Sequence, residues 1–299
     1  MDLALSTAGS AVRAAGRVSP RWGAAVALPL FARVSRPRPV HPDDRPTMGR
    51  ARRSSIRIPG LDRRGVDLTV YEWGRGTNVV LLAHGWNGRA SQFATLVREL
   101  VSEGWRVVAF DAPGHGETPG GGTYLVDWTD ALAGLQRRYG RIHAMIGHSF
   151  GGLAALVAAG AGVQVDRVVT IAAPGDADLL LSQFQAMLGY DGRTAAALRE
   201  RFAARYFPGE ADPFARLSPL QRALPPSVPL LAVHDEEDRV VPVGELGRIV
   251  AAHPTARVVN TTGFGHNRVL TADPVLDAVV EFLAQRSAVP HPGTVRAAV

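Results

Sequence analysis

Three residues of this chain, Ser149, Asp238 and His266, have the types and the settings for nucleophilic acyl transfer. Ser149 lies in Gly147-His148-Ser149-Phe150-Gly151, and a serine held between two such glycines can sit on a strand-to-helix turn sharp enough to expose its hydroxyl. A hydroxyl is a weak nucleophile at neutral pH, so a base must take its proton during attack and return it to the leaving group. Histidine suits that task, with a carboxylate behind it to fix the imidazole tautomer and stabilise the imidazolium. Asp238 follows Ser149 by 89 residues and His266 follows Asp238 by 28.

The flanking residues are the right kind to position these groups. Residues 142–146 (IHAMI) are apolar and strand-like, and 152–160 (GLAALVAAG) are small enough for a helix packed closely on a sheet. Asp238 closes an acidic run, Asp235-Glu236-Glu237-Asp238, that follows the apolar stretch 229–233 and ends near Pro242. On residue type alone Asp235 competes with Asp238 for the carboxylate role. His266 stands in 261–267 (TTGFGHN), where glycines free the backbone to present an imidazole just after the strand-like 256–260. Both loops would lie at the C-terminal ends of strands, where open α/β sheets place their chemistry. His84, His115 and His148 read as braces for neighbouring loops, His143 and His234 as strand-end residues, His253 and His291 as surface residues, and His41 as part of a flexible arm.

Upstream, 79–86 (VVLLAHGW) is a buried-strand run ending in His-Gly, and 106–116 (RVVAFDAPGHG) is a second strand running into a glycine-rich loop. With the elbow, the acid loop and the histidine loop, these motifs resemble the alpha/beta-hydrolase-fold serine hydrolases over residues 58–286, in that family's order of nucleophile, acid and histidine. The resemblance implies a Ser149, Asp238, His266 triad, because Asp238-Arg-Val-Val-Pro242 matches the family's acid position and Asp235 does not. It also implies an oxyanion hole from the backbone N–H groups of Trp86 and Phe150. The activity it implies is cleavage of carboxylic esters or thioesters of short or medium acyl chains, without a cofactor. Peptidase and haloperoxidase-like activities share the scaffold, and a ligand-binding protein that kept the pocket without turnover is the alternative from another class.

Composition fits a catalytic α/β domain. With 46% hydrophobic residues in 299, the chain can bury one sizeable core, and no stretch of 18 apolar residues suggests a membrane span. There are no cysteines, which excludes disulfides and thiol catalysis, and all 33 basic residues are arginine, which excludes lysine-based catalysis. No His-Glu-x-x-His or other familiar ligand spacing points to a metal. Gly120-Gly121-Gly122 lacks the residues of a phosphate cradle and reads as a flexible loop. Residues 1–57 carry eleven arginines against three acids, so +8 of charge sits there and −2 on the remainder of a chain whose net charge is +6. A basic face on the folded body is therefore lacking, and nucleic acid is not an expected partner.

Residues 1–57 read as a basic arm, with one or two short helices over 11–34 interrupted at Pro20 and Pro29, followed by a linker over 35–55. The mix of arginine and aliphatic residues suggests a weak contact with a membrane surface, while the lack of a clear cleavage site favours a cytoplasmic protein. Beyond the arm, strand-like segments at 66–72, 79–84, 107–111, 142–147 and 167–173 alternate with helix-like ones at 90–101, 124–139 and 151–160. Such alternation predicts an α/β fold, a mostly parallel sheet with helices on both faces. The 54 residues at 174–227 exceed an ordinary crossover and predict a small helical cap, with helices at 178–188 and 194–205. Phe184, Met187 and Leu188 of the cap, and Trp128, are the candidates for the substrate pocket. Residues 287–299 read as a flexible tail.

Overall fold

The sheet that carries the candidate residues has eight strands in the order β1-β2-β4-β3-β5-β6-β7-β8. The structure, a computed structural model, describes residues 3–285. The outer hairpin, β1 (Arg52–Ile58) and β2 (Val66–Trp73), is antiparallel, and β2 also runs antiparallel to β4 (Arg106–Phe110). From β4 onward the sheet is parallel through β3 (Val79–Ala83), β5 (Ile142–His148), β6 (Val165–Ile171), β7 (Leu230–Asp235) and β8 (Arg257–Thr261). The central strands are buried along their whole length, as expected where helices cover both faces.

Strand period two sorts the core into two layers. On one face Val79, Leu81 and Ala83 pack with Met145, Val168 and Leu230 against α5 (Leu125–Tyr139) and α6 (Phe150–Gly160). On the other, Val80 and Leu82 join Ile146, Val169 and Val233 against α4 (Ala94–Ser102) and α12 (Asp273–Ala284). Between β6 and β7, where the cap is expected, lie α7 (Asp178–Leu188), α8 (Gly192–Tyr206) and the single turn α9 (Pro213–Arg216). Asp191 and Asp212 start the last two by accepting backbone N–H bonds with their side chains, the ordinary N-cap device. Among the described residues no helix is long and apolar enough to cross a membrane.

The N-terminal region differs from the expected arm. It forms two helices, α1 (Leu3–Val18) and α2 (Pro20–Phe31), broken at Ser19 and not at Pro29, which lies exposed inside α2. A further turn, α3 (Arg45–Gly49), precedes β1, so residues 52–55 of the expected linker are sheet, paired with β2. The helices pack on α7 and α8. Arg13 Nη1 donates to the Leu188 carbonyl at 2.6 Å, and a Cβ added at Gly16 would lie 2.7 Å from Thr194 Oγ1. Phe31 meets the rings of Phe184, Phe202 and Tyr124 at 5.2, 5.4 and 5.6 Å. His253, read as a surface residue, is buried, with its Nε2 satisfied by the Leu224 N–H at 3.1 Å. The glycine loop is tied down as well: Gly122 bridges to Arg33. The expected tail and His291 lie outside the described residues.

Candidate active site

Ser149 occupies the turn between β5 and α6 with φ 53° and ψ −121°, a left-handed conformation that is costly for a residue with a Cβ. The neighbouring glycines are there for want of space. A Cβ at Gly147 would lie 2.2 Å from the Gly151 carbonyl oxygen, and one at Gly151 would lie 2.0 Å from that of Ala83. The turn thus presses β5, α6 and the end of β3 together, and the Ser149 N–H is held by the Ile171 carbonyl at 2.8 Å. Phe150 is the first residue of α6, where backbone N–H groups have no partner inside the helix. Trp86 sits in the turn closed by Gly88 N–H to Gly85 carbonyl at 2.9 Å. Both Trp86 and Phe150 line the cavity that holds Ser149 and His266.

The two carboxylates that compete in sequence take different places. Asp238 Oδ2 accepts from His266 Nδ1 at 2.7 Å, while its Oδ1 accepts the N–H groups of Val240 and Val241 at 2.8 and 2.9 Å. Burial raises the Asp238 pKa, but the His266 hydrogen bond and the two backbone donors outweigh it and hold the carboxyl below its ordinary value. Asp235 instead binds the histidine loop itself. Its oxygens accept from Thr261 Oγ1 at 2.8 Å, Gly265 N–H at 2.9 Å and Phe264 N–H at 3.1 Å. These donors, with the Glu237 N–H, overcome burial and lower its pKa too. His266 opens from α11 (Gly265–Arg268), directly after that anchored loop.

Behind the site, buried histidines link one loop to the next. His84 Nε2 accepts the Ala112 N–H and His115 Nε2 accepts the Asn87 N–H, each at 3.0 Å. His148 bridges the Gln92 amide at 3.1 Å and the His266 carbonyl at 2.8 Å. Burial is the first cause that brings their pKa values down, to about 4 for His84 and about 3 for His115 and His148. They stay neutral at working pH, as acceptor-bearing braces must. Asp111 gathers the Ala90 N–H, the Tyr71 hydroxyl and the Glu117 N–H at 2.8, 2.9 and 2.8 Å.

The cavity measures about 1210 Å³. Phe184, Met187 and Leu188 line it, with Met187 half exposed and the other two buried. Trp128 does not. It is fully buried, donates Nε1–H to the His84 carbonyl at 2.7 Å, and lies under Trp86 in a stacked pair 6.2 Å apart. It reaches the cavity through Trp86 and Phe150, whose ring it meets edge-on at 4.9 Å. The residues that sequence reasoning missed come from the N-terminal region: Leu30, Phe31 and the following segment through His41 form a wall of the cavity. The apolar cluster in 24–31 was the available signal, but nothing local says what it packs against.

The chain belongs to the alpha/beta hydrolase family, whose profile matches residues 80–296. A serine hydrolase-like protein of Dictyostelium discoideum is 30% identical over 115 residues, which span 36% of this chain and 32% of that relative, about a third of its length. Among solved structures, an esterase of Pyrococcus furiosus superposes with a TM-score of 0.60 at 21% identity, covering 84% of this chain and 97% of that one. A thermophilic esterase from Thermogutta terrifontis gives 0.54 at 21% identity over 77% and 98%, and a bromoperoxidase from Bacillus anthracis gives 0.56 at 18% over 78% and 100%. At such identities the likeness carries the fold alone.

Proposed function

We propose that this protein is a serine hydrolase that cleaves carboxylic esters or thioesters through an acyl-serine intermediate. The observation that carries the reading is the 2.7 Å bond from His266 Nδ1 to Asp238, in a cavity that Ser149 enters from a strained turn. Ser149 Oγ attacks the substrate carbonyl as His266 Nε2 takes its proton; the carbonyl oxygen, now negative, accepts from the N–H groups of Trp86 and Phe150. His266 returns the proton to the leaving alcohol or thiol, and water repeats the sequence to release the acid and free Ser149. Asp238 stays ionised throughout, since its pKa lies below the usual carboxylate value. No cofactor enters this sequence of steps. The p-nitrophenyl ester series from acetate to decanoate tests it: wild type is expected to show a burst of one p-nitrophenol per chain or steady turnover, and Ser149→Ala neither. Turnover that survives in Ser149→Ala contradicts the reading.

A weak contact between the N-terminal helices and an anionic membrane surface has its own support. Val18, Trp22 and Val26 are 71%, 63% and 39% exposed beside the exposed Arg17 and Arg21, an amphipathic mix that favours such surfaces. Sedimentation with phosphatidylglycerol vesicles is expected to carry down wild type and leave Trp22→Ser in solution; equal recovery of both in solution removes the contact.

A further inference from the structure

We propose that the cavity takes esters bearing an anionic group, a carboxylate or a phosphate, and that Arg89 with Arg36 and Arg38 holds that group. The inference rests on the ester reading for the reaction and on the cavity wall for the binding. Arg89 is 9% exposed and lines the cavity. Its Nη1 donates to the Arg38 carbonyl at 2.8 Å, which ties the segment after α2 to the loop that presents Trp86. Its Nε is buried and has no hydrogen-bond partner among the described residues. A buried donor without an acceptor is unfavourable, and a guanidinium donor more so.

The charge balance around it points the same way. Glu117 Oε1 lies 4.0 Å from Arg89 Nη2, but Glu117 Oε2 is already engaged by Arg53 Nη1 at 2.8 Å. One carboxylate is shared between two guanidinium groups. Arg33, Arg36 and Arg38 also line the cavity and are exposed, and Asp44 is the one acid among its lining residues. Phe31, Leu180, Phe184 and Leu188, which line the same cavity, are apolar. A ligand that fits both kinds of lining has a hydrocarbon part and an anion, and the planar guanidinium fork binds carboxylate and phosphate oxygens in pairs.

Two matched substrate pairs test the proposal and separate the sources of the anion. Adipate mono-p-nitrophenyl ester against p-nitrophenyl hexanoate places the charge on the acyl side; hexanoyl glycerol 3-phosphate against monohexanoyl glycerol places it on the alcohol side. In at least one pair, the anionic-to-neutral ratio of kcat/KM is expected to fall about tenfold in Arg36→Gln/Arg38→Gln, the scale of one charged hydrogen bond. Arg89→Lys, which keeps the charge but loses the Nε donor, is expected to fall between. Arg64→Gln/Arg75→Gln, with the same charge change away from the cavity, is expected to leave the ratio alone. A ratio that stays constant in Arg36→Gln/Arg38→Gln for both pairs, or that falls equally in Arg64→Gln/Arg75→Gln, overturns the proposal. Should wild type cleave no ester, thermal unfolding with free adipate or glycerol 3-phosphate decides separately: a rise in Tm for wild type and not for Arg36→Gln/Arg38→Gln upholds the anion site while the ester reading falls, and no rise overturns both.

Discussion

The proposed reacting groups and the wall that faces them are built in different ways. Ser149, Asp238 and His266 stand at the ends of β5, β7 and just after β8, each fixed by contacts within a few residues or with the adjacent strand. The wall comes from α2, the segment after it and α7, elements far apart in sequence that meet through the rings of Phe31 and Phe184. One half is held by backbone hydrogen bonds and by glycines with no room for a side chain; the other by side-chain packing. Chemistry can therefore be kept while the wall is remodelled, and each half has its own signature when broken.

The largest effect is expected in the first half. Asp238→Asn should lower kcat about 10⁴-fold with little change in folding, since the histidine loses the carboxylate that sets its tautomer. Asp235→Asn should do the reverse. It loses an ionised acceptor of four hydrogen bonds, so stability drops by about 2 kcal/mol while kcat falls far less. Urea unfolding and steady-state kinetics on the two variants check this, and equal losses of kcat would erase the distinction between the carboxylates.

In the wall, Phe31→Ala removes a ring that is 7% exposed and should cost about 3 kcal/mol. The Tm is expected to fall by roughly 6–12 °C for a domain of this size. Acyl-chain preference should change with it while Ser149 remains reactive; unchanged Tm and unchanged preference would show that the N-terminal helices do not hold the wall.

Acid should act mainly through the braces. The pKa values of His84, His115 and His148 lie at about 4, 3 and 3 in the folded protein, against about 6.5 in the unfolded chain. The unfolded state then binds protons that the folded state refuses, so stability is full above the unfolded value and is lost as pH falls below it. Asp127, raised to about 6 chiefly by burial, works in the opposite direction over part of that range, as do Asp44 and Asp130, which burial also raises, but the large downward shifts of the three histidines dominate between pH 7 and pH 5. The urea midpoint should decline from pH 7 to pH 5; a midpoint that holds or rises would show that the histidines are not buried braces. The smallest effect belongs to Met187→Ala. At 52% exposure it should change stability by less than about 0.5 kcal/mol and alter only the preference among acyl lengths, read from the ester series.

The same division explains what was legible in the sequence. The elbow could be read because its glycines mark a turn without room for side chains, at Gly147 against Gly151 of the same motif and at Gly151 against Ala83 at the end of β3. The strand and helix alternation was legible because period two and helical spacing are local, and the helices between β6 and β7 because that segment exceeded a crossover in length. Asp235 was harder: its partners, Thr261, Phe264 and Gly265, lie on and just after the next strand, so its role depends on β7 and β8 being neighbours. The N-terminal wall was hidden for a stronger version of that reason. Arginines and prolines in 33–41 look like a linker, and only the distant cap shows that Phe31 is core. Trp128 was misplaced because a large aromatic near a site reads alike whether it faces the cavity or lies beneath Trp86.

Intact-mass labelling with a fluorophosphonate tests the central claim, that Ser149 is activated by His266 and Asp238, most directly. Wild type is expected to gain a single adduct, Ser149→Ala none, and His266→Ala and Asp238→Asn adducts that form far more slowly, while Phe31→Ala still labels. A folded wild-type protein that takes up no probe, or an adduct that persists in Ser149→Ala, would contradict the account.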